Sequence, residues 1–190
     1  MDDAPEKEAI ACFNTQALPL LPALYRTALM LTHNEENAED LVQETMLRAY
    51  RRIETFQPGT RMKPWLMTIL RRLHIDRFRR EKARIEADSL ESIGIDLADD
   101  RPASDTAWDG LDPDELMEKV DDQTLGKALR SLPEQMRWAL LLVDVEQLSF
   151  DEAADILEIP IGTLKSRTSR GRTALRDLLE PIARERGWVA

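Results

Sequence analysis

Aromatic side chains make up only 5% of this 190-residue sequence, and it has just seven glycines. Segments in which Val, Ile or Thr alternate with polar residues are missing too, so helices rather than sheets are the expected material. The single cysteine, Cys12, rules out an internal disulfide and fits a reducing cytoplasm. No stretch of 18 apolar residues occurs, which excludes a helix that crosses a membrane. The opening, MDDAPEKEAIACF, is acidic and lacks the basic flank of a secretory signal. Catalytic equipment is equally scarce. The two histidines, His33 and His74, lie far apart, no His-Glu-x-x-His or paired-cysteine spacing occurs, and no glycine loop is built to cradle phosphate. Acid pairs such as Asp99-Asp100 sit in a carboxylate-rich run, where solvation is expected instead of buried acid–base chemistry. The reading is a protein with no catalytic residues, no metal ligands and no cofactor.

Charge is what the chain has in abundance, and it comes in blocks. The formal net charge of -10 argues, as an average, against nucleic acid. Residues 48–84, however, hold twelve Arg/Lys against three Asp/Glu. Residues 86–115 hold eleven Asp/Glu against one Arg, and residues 163–176 hold five Arg/Lys and no acid. A solvated face would account for either basic block alone. Two such blocks around an acidic one point to separate surfaces aimed at a polyanion.

Apolar spacing divides the chain into two helical modules, 1–86 and 113–190, joined by an acidic, flexible linker at 87–112. In the first module Asn34 is the expected N-cap, followed by Glu35, Glu36 and Glu39 where carboxylates favour a helix start. Ala38, Leu41, Val42, Thr45, Met46, Ala49, Tyr50 and Ile53 then recur as one buried stripe, with Glu39, Asp40, Gln43 and Glu44 turned away from it. Pro58-Gly59 marks a turn, and Pro64 suits the first turn of a second helix. There, Trp65, Leu66, Ile69, Leu70, Leu73 and Phe78 are the expected packing residues. Arg71, Arg72, Arg79, Arg80 and Lys82 belong in water or against a polyanion. A ring at Trp65 or Phe78 beside such bases also suits single-stranded DNA.

The second module is an all-helical unit with a helix-turn-helix. An amphipathic segment spans about Leu116 to Leu129. Ser131–Glu134 and Ser149–Glu152 both have capping-box spacing, and Pro133 suits a first turn. A helix at 150–157, a turn at Ile159-Pro160 and a helix over about 162–178 have helix-turn-helix dimensions. Leu157 and Ile159 can fill the angle. Leu164, Thr168, Gly171, Leu175 and Leu178 mark the inner side of the last helix, leaving Lys165, Ser166, Arg167, Ser169, Arg170 and Arg172 on its other sides. A major groove admits one such helix, with long donors on base edges and their neighbours on phosphate. Arg170 has the fork to grip guanine, whereas Ser166 and Ser169 read less specifically.

Two stretches, AEDLVQETMLRAYRRIETF...WLMTILRRLHIDRFRR and LPEQMRWALLLVDVEQLSFDEAADILEIPIGTLKSRTSRGRTALRDLL, strongly resemble a bacterial RNA polymerase sigma factor of the extracytoplasmic-function class. Their order and spacing match that class over nearly all of residues 14–186. The resemblance implies a first domain that binds the clamp of core RNA polymerase and the -10 promoter element, and a second that binds the flap and the -35 element. It makes Glu39, Asp40, Gln43 and Glu44 the core polymerase surface. The loop FQPGTRMKPW becomes the pocket for a flipped base, so Arg61, Met62, Lys63, Trp65, Arg71, Arg72, Asp76, Arg79 and Arg80 form the -10 set. Lys165, Ser166, Ser169 and Arg170 become the -35 readers, with Arg167 and Arg172 as support or phosphate contacts. Two positions depart from the class: Arg61-Met62 stands where many members have an Asn-Phe-like pair, and Arg72 where many have Asn. The linker carboxylates, in this class, lie near polymerase channels that hold nucleic acid, and either imitate that charge or serve as a solubilising tether. The ending ARERGWVA resembles members paired with a zinc-containing anti-sigma factor, whose metal would belong to that partner. The alternatives are a standalone helix-turn-helix regulator that binds DNA as a dimer, and a sigma-like module that only sequesters an anti-sigma factor.

Overall fold

The computed structural model describes residues 10–57, 59–88 and 122–186, all helical or in turns. They fall into two compact units, residues 10–88 in the first and 122–186 in the second. Of the linker expected at 87–112, Ala87 and Asp88 end a helix instead, and residues 89–112 lie outside the described residues, as do the start of the amphipathic segment at Leu116, Pro58 and the terminal residues 187–190.

The first unit is a three-helix bundle. A π-helical turn, Phe13–Ala17, and a 3-10 turn, Leu18–Leu20, lead into α1 (Leu21–Thr32). Helix α1 ends at His33, whose left-handed backbone (φ 58°) lets its N–H donate to the Leu29 carbonyl at 2.9 Å. One residue later, Asn34 caps α2 (Glu35–Arg51): its side chain accepts from the Asn37 N–H at 2.9 Å, as the sequence predicts. Leu24, Ala28, Leu41, Ala38, Ala49, Leu66, Met67 and Leu70 are fully buried where α1 and α2 pack with α3 (Met62–Asp88). The buried Thr45 hydroxyl donates to the Leu41 carbonyl of its own helix at 2.7 Å, so it adds no unpaired polar group. Between α2 and α3, a 3-10 turn (Ile53–Thr55) and Gly59, at φ +89°, reverse the chain.

Three expectations fail in this unit. Helix α3 runs for 27 residues, whereas its partners α1 and α2 have 12 and 17. Its buried row is Met62, Leu66, Leu70 and Leu73, and past Leu73 no described side chain of α3 is buried. Phe78, expected to pack, is 51% exposed: it stands about 100° round α3 from Arg77, the residue that still reaches the Asn37 carbonyl of α2 at 3.5 Å. Tyr50 is also exposed, lying edge-on to Phe13 with ring centroids 5.4 Å apart, so it shields the core from outside. Met62 sits in the core rather than at the surface, one helical step before Leu66 in the same row.

The second unit contains α4 (Asp122–Arg130), α5 (Glu134–Leu140), a π-helical turn (Leu141–Val145), α6 (Phe150–Leu157) and α7 (Ile161–Glu185). Leu129, Leu140, Leu141, Leu142, Leu164 and Leu179 are its largest fully buried side chains. The expected box at Ser131 does not form. Pro133 is the N-cap of α5, and the Ser131 hydroxyl turns back to the Lys127 carbonyl at 3.3 Å. Arg137 acts on the other side of this junction, on carbonyls and not on the N–H groups that a box would have served. Its guanidinium donates to the carbonyls of Leu129 (2.9 Å), Arg130 (2.8 Å) and Leu132 (3.1 Å), gathering the open C-terminal end of α4. Burial lowers the Arg137 pKa from its ordinary value; Glu134 opposes that shift and Arg130 adds to it. The second box does form. Ser149 accepts from the Glu152 N–H at 3.2 Å, and the Glu152 carboxylate accepts from the Ser149 N–H at 2.9 Å.

Glu158, left-handed at φ 56°, ends α6, and Ile159-Pro160 leads into α7 with Pro160 as its N-cap. Leu157 is buried in the angle and Ile159 half-buried. Helix α7 continues past residue 178, through Pro181, to Glu185. Its buried row is Leu164, Thr168, Gly171, Leu175, Leu179 and Ala183; Leu178, expected inside, is 40% exposed because the row steps by four after Leu175.

Arg137→Ala leaves three carbonyls at the end of α4 without their charged donor. The second unit should lose about 2 kcal/mol of stability, seen as about thirtyfold faster amide hydrogen exchange in α4 and α5. Unchanged exchange there would show that water replaces the guanidinium without loss.

Candidate nucleic-acid interface

Helix α7 is both a core element and the carrier of the basic block. At about 100° per residue, Lys165, Ser166, Ser169 and Arg170 share the half of the helix opposite the Leu164–Thr168–Gly171–Leu175 row. Lys165 is exposed, whereas Ser166, Ser169 and Arg170 are half-buried. The Lys165 ammonium stands 5.9 Å from the centroid of the Phe150 ring, so the first residue of α6 steadies a base on the second helix of the motif. The hydroxyls on the inner side look inward: Thr168 donates to the Leu164 carbonyl at 2.9 Å and is buried.

Arg167 and Arg172 flank the buried row instead of sharing the outer face. Arg172 forms a two-pronged bond with the Asp144 carboxylate, Nη2 to Oδ1 at 2.5 Å and Nε to Oδ2 at 3.1 Å. Of the two roles expected for Arg172, support or phosphate contact, this ion pair fits support. The Arg172 fork is engaged with a carboxylate of its own unit because the edge of the row faces the π turn that carries Asp144. No spacing rule in the sequence links two residues 28 positions apart. Phe150, half-buried, went unassigned in the sequence, although as the residue after the capping Ser149 it opens α6 on the same side as Leu157, seven residues on.

The -10 set separates into two clusters along α3. Near its start, Arg61 is exposed, Lys63 is half-buried, and half-buried Trp65 stacks at a tilt on buried Phe56, centroids 5.4 Å apart. Met62, buried at 5% exposure, has no surface to offer a base and leaves the set. Toward its end, Arg71 is half-buried and Arg72, Asp76, Arg79 and Arg80 are exposed; the Arg80 Nε donates to the Asp76 carbonyl at 3.1 Å. Arg72, Asp76 and Arg79 recur at helical spacing on one face, and Trp65, seven residues before Arg72, lies on the same face. Phe78 stands exposed among these bases, on the part of α3 that overhangs the bundle.

On α2, Glu39, Asp40 and Gln43 are exposed, while half-buried Glu44 pairs with Arg48 at 2.8 Å. Leu47, which the periodicity left unassigned, is 44% exposed beside them. Next to this face, Leu21, Pro22 and Tyr25 of α1 and Glu39, Val42 and Gln43 of α2 line a shallow, almost wholly apolar groove. A face combining carboxylates with exposed apolar groups suits a protein partner better than a polyanion. Among the described residues no three His, Cys, Asp or Glu side chains could hold a metal ion, and no helix is long and apolar enough to cross a membrane.

Comparisons with known proteins bear on both units. The family model for Sigma-70 region 2 matches residues 18–84, and that for Sigma-70 region 4 matches residues 122–175. The chain is 36% identical over 162 residues to the ECF RNA polymerase sigma factor EcfG of Rhodopseudomonas palustris, covering 85% of this chain and 82% of that protein. It is 39% identical over 160 residues to the ECF RNA polymerase sigma factor SigE of Mycolicibacterium smegmatis, covering 82% of this chain but 57% of that longer protein. A solved structure of the sigma factor RpoE from Bartonella quintana, in complex with the anti-sigma factor NepR, superposes with a TM-score of 0.70 at 32% identity. The match covers 88% of this chain and 96% of that one. The two region models in order, and a 36% identical relative covered over 82% of its length, show the family: the chain belongs to the ECF RNA polymerase sigma factors.

Proposed function

We propose that this chain directs core RNA polymerase to promoters, with α7 reading the -35 element and the start and overhang of α3 engaging and opening the -10 element. The observation that carries the reading is the outer face of α7. A doubly capped α6 and a three-residue turn present Lys165, Ser166, Ser169 and Arg170 away from a fully packed row. Long donors on an outward helix face match base edges in a major groove. Two functional domains, 1–86 and 113–190, joined by 87–112, keep the two promoter contacts on separate units. The chain serves as a specificity subunit and performs no covalent chemistry; strand opening draws on binding energy alone.

The core polymerase contact is assigned to Glu39, Asp40, Gln43 and Glu44, to which the structure adds the neighbouring Leu47. The -10 contact is assigned to Arg61, Lys63, Trp65, Arg71, Arg72, Asp76, Arg79 and Arg80. Arg167 is kept as a backbone contact beside the -35 readers. An anti-sigma factor is proposed as a further partner, supported by the complex formed by the Bartonella quintana relative. The proposed place of work is the cytoplasm, where core polymerase and promoter DNA are found. The likeness to members with a zinc-containing anti-sigma factor rests on an ending whose last four residues lie outside the described residues.

Reconstituted transcription should require both this chain and core polymerase, with a promoter-specific start absent when either is omitted. Binding of a palindromic site as a homodimer, with no polymerase-dependent start, would replace the reading with a standalone regulator.

Arg170→Ala should weaken the cognate -35 site by about 1–3 kcal/mol and relax the choice of one base, as loss of a two-pronged base contact does. Equal losses on matched and mismatched -35 sites would reassign Arg170 to the backbone.

Extruding a base from the duplex costs a few kcal/mol, which a basic loop beside a ring can offset. Arg61→Ala with Lys63→Ala should reduce open complex more than closed complex. A fluorescent base analogue stepped through the -10 element measures this directly. An unchanged opening signal at equal polymerase occupancy would remove these two side chains from the melting step.

A further inference from the structure

We infer that Asp144 is a positioning residue for promoter reading: by gripping Arg172 it fixes the rotation at which α7 turns Lys165, Ser166, Ser169 and Arg170 outward. This rests on the assignment of α7 as the -35 reader and adds a residue outside the helix-turn-helix to the machinery of specificity.

The bond has the geometry to set an angle. Both prongs of the guanidinium meet the two oxygens of one carboxylate, at 2.5 Å and 3.1 Å, and a planar fork matched in this way restricts rotation as a point charge does not. The pair is partly withdrawn from water, the Arg172 side chain 31% and the Asp144 side chain 18% exposed. Its neighbours allow almost no slack. Gly171, adjacent to Arg172, lies so near α5 that a β-carbon there would come within 3.1 Å of Leu140 Cγ. Leu140, Leu141 and Leu142 are fully buried, so the segment that carries Asp144 is itself anchored.

The wide turn at Leu141–Val145 is what brings the carboxylate to this place. A π-helical turn holds one more residue than an α-turn, which rotates the succeeding residues relative to the buried leucines. Asp144 thereby leaves the buried face while Leu141 and Leu142 stay on it. Arg172, on the rim of the α7 row, is the group it meets. The readers lie two to seven positions before Arg172, within two turns of the clamp. A small rotation of α7 at that point moves every long side chain ahead of it across the bases.

The test uses holoenzyme formed from the full chain and core polymerase, selecting from a duplex library randomised at the -35 element, over a series of salt concentrations. Asp144→Asn keeps the side chain's size but weakens the grip. It should flatten discrimination at the bases facing Ser166, Ser169 and Arg170 by about threefold or more, since each good base contact is worth about 1–3 kcal/mol. The salt slope should stay as in the wild type, because no phosphate contact is removed. Arg172→Gln should give the same flattened matrix, the two changes together should add nothing further, and Asp144→Glu should restore discrimination. Circular dichroism monitors the fold, and Arg172→Lys, which keeps the charge without the fork, replaces any variant that has lost helix. An Asp144→Asn matrix identical to the wild type's overturns the inference. So does a salt slope lowered by about 0.9 in Arg172→Gln alone, the signature of a lost phosphate contact. A wild-type matrix that is itself flat removes the -35 assignment of α7 as well, which separates that failure from this one.

Discussion

At Gly171 of α7 a β-carbon would stand 3.1 Å from Leu140 Cγ, so the Leu140 side chain of α5 lies directly against the α7 backbone. Everything that α7 presents to the outside depends on that contact. A helix that reads DNA needs one face free of neighbours, so its opposite face must supply all the burial that holds it. Leu164, Thr168, Gly171, Leu175, Leu179 and Ala183 do so in one row, and the absence of a side chain at Gly171 leaves room for Leu140 against the α7 backbone. The ion pair of Arg172 with Asp144 then acts on the rim of a joint that is already closed, which is why it can govern angle more than attachment.

The first unit solves a related problem by length. Helix α3 outruns α1 and α2, so its first three turns are core and the remainder is surface. The same helix therefore anchors Trp65 against Phe56 near its start, exposes Arg72 and Asp76 on its outer face, and carries Arg79 and Arg80 past its last buried residue. The burial of Leu66, Met67, Leu70 and Leu73 supports a rod whose exposed part needs no core of its own. Polar groups freed at the helix ends are met locally in some places and from a distance in others. Asn34 and Ser149 cap from the adjoining residue, whereas Arg137 reaches back from the next helix to three carbonyls around the end of α4.

Helix content, the caps at Asn34 and Ser149, the turn that opens α7 and the basic outer face of α7 were all legible in the sequence, because each follows from spacing within a few residues. The overhang of α3 was not. Phe78 continues an apolar spacing that the sequence extends past Leu73, but in the structure it stands to one side of Arg77, the residue that faces the start of α2. Met62 failed in the opposite sense. Its neighbours Arg61 and Lys63 are polar, so it reads as part of a loop, yet it begins the buried row of α3.

The sequence by itself determined which segments are helical and where the charges of each helix lie, since both are set by rotation about one axis. Ser131 and Arg172 show what tertiary structure decided. Ser131 has the right partner three residues on, but its hydroxyl donates back to the Lys127 carbonyl and Pro133 is the N-cap of α5, so the box does not form. Arg172 has the charge of a DNA contact, but folding brings Asp144, 28 residues away, to its fork. Periodicity fixes the direction of a side chain around its helix, while the identity of what stands opposite depends on how other helices pack, and that information is not local to any stretch of the chain.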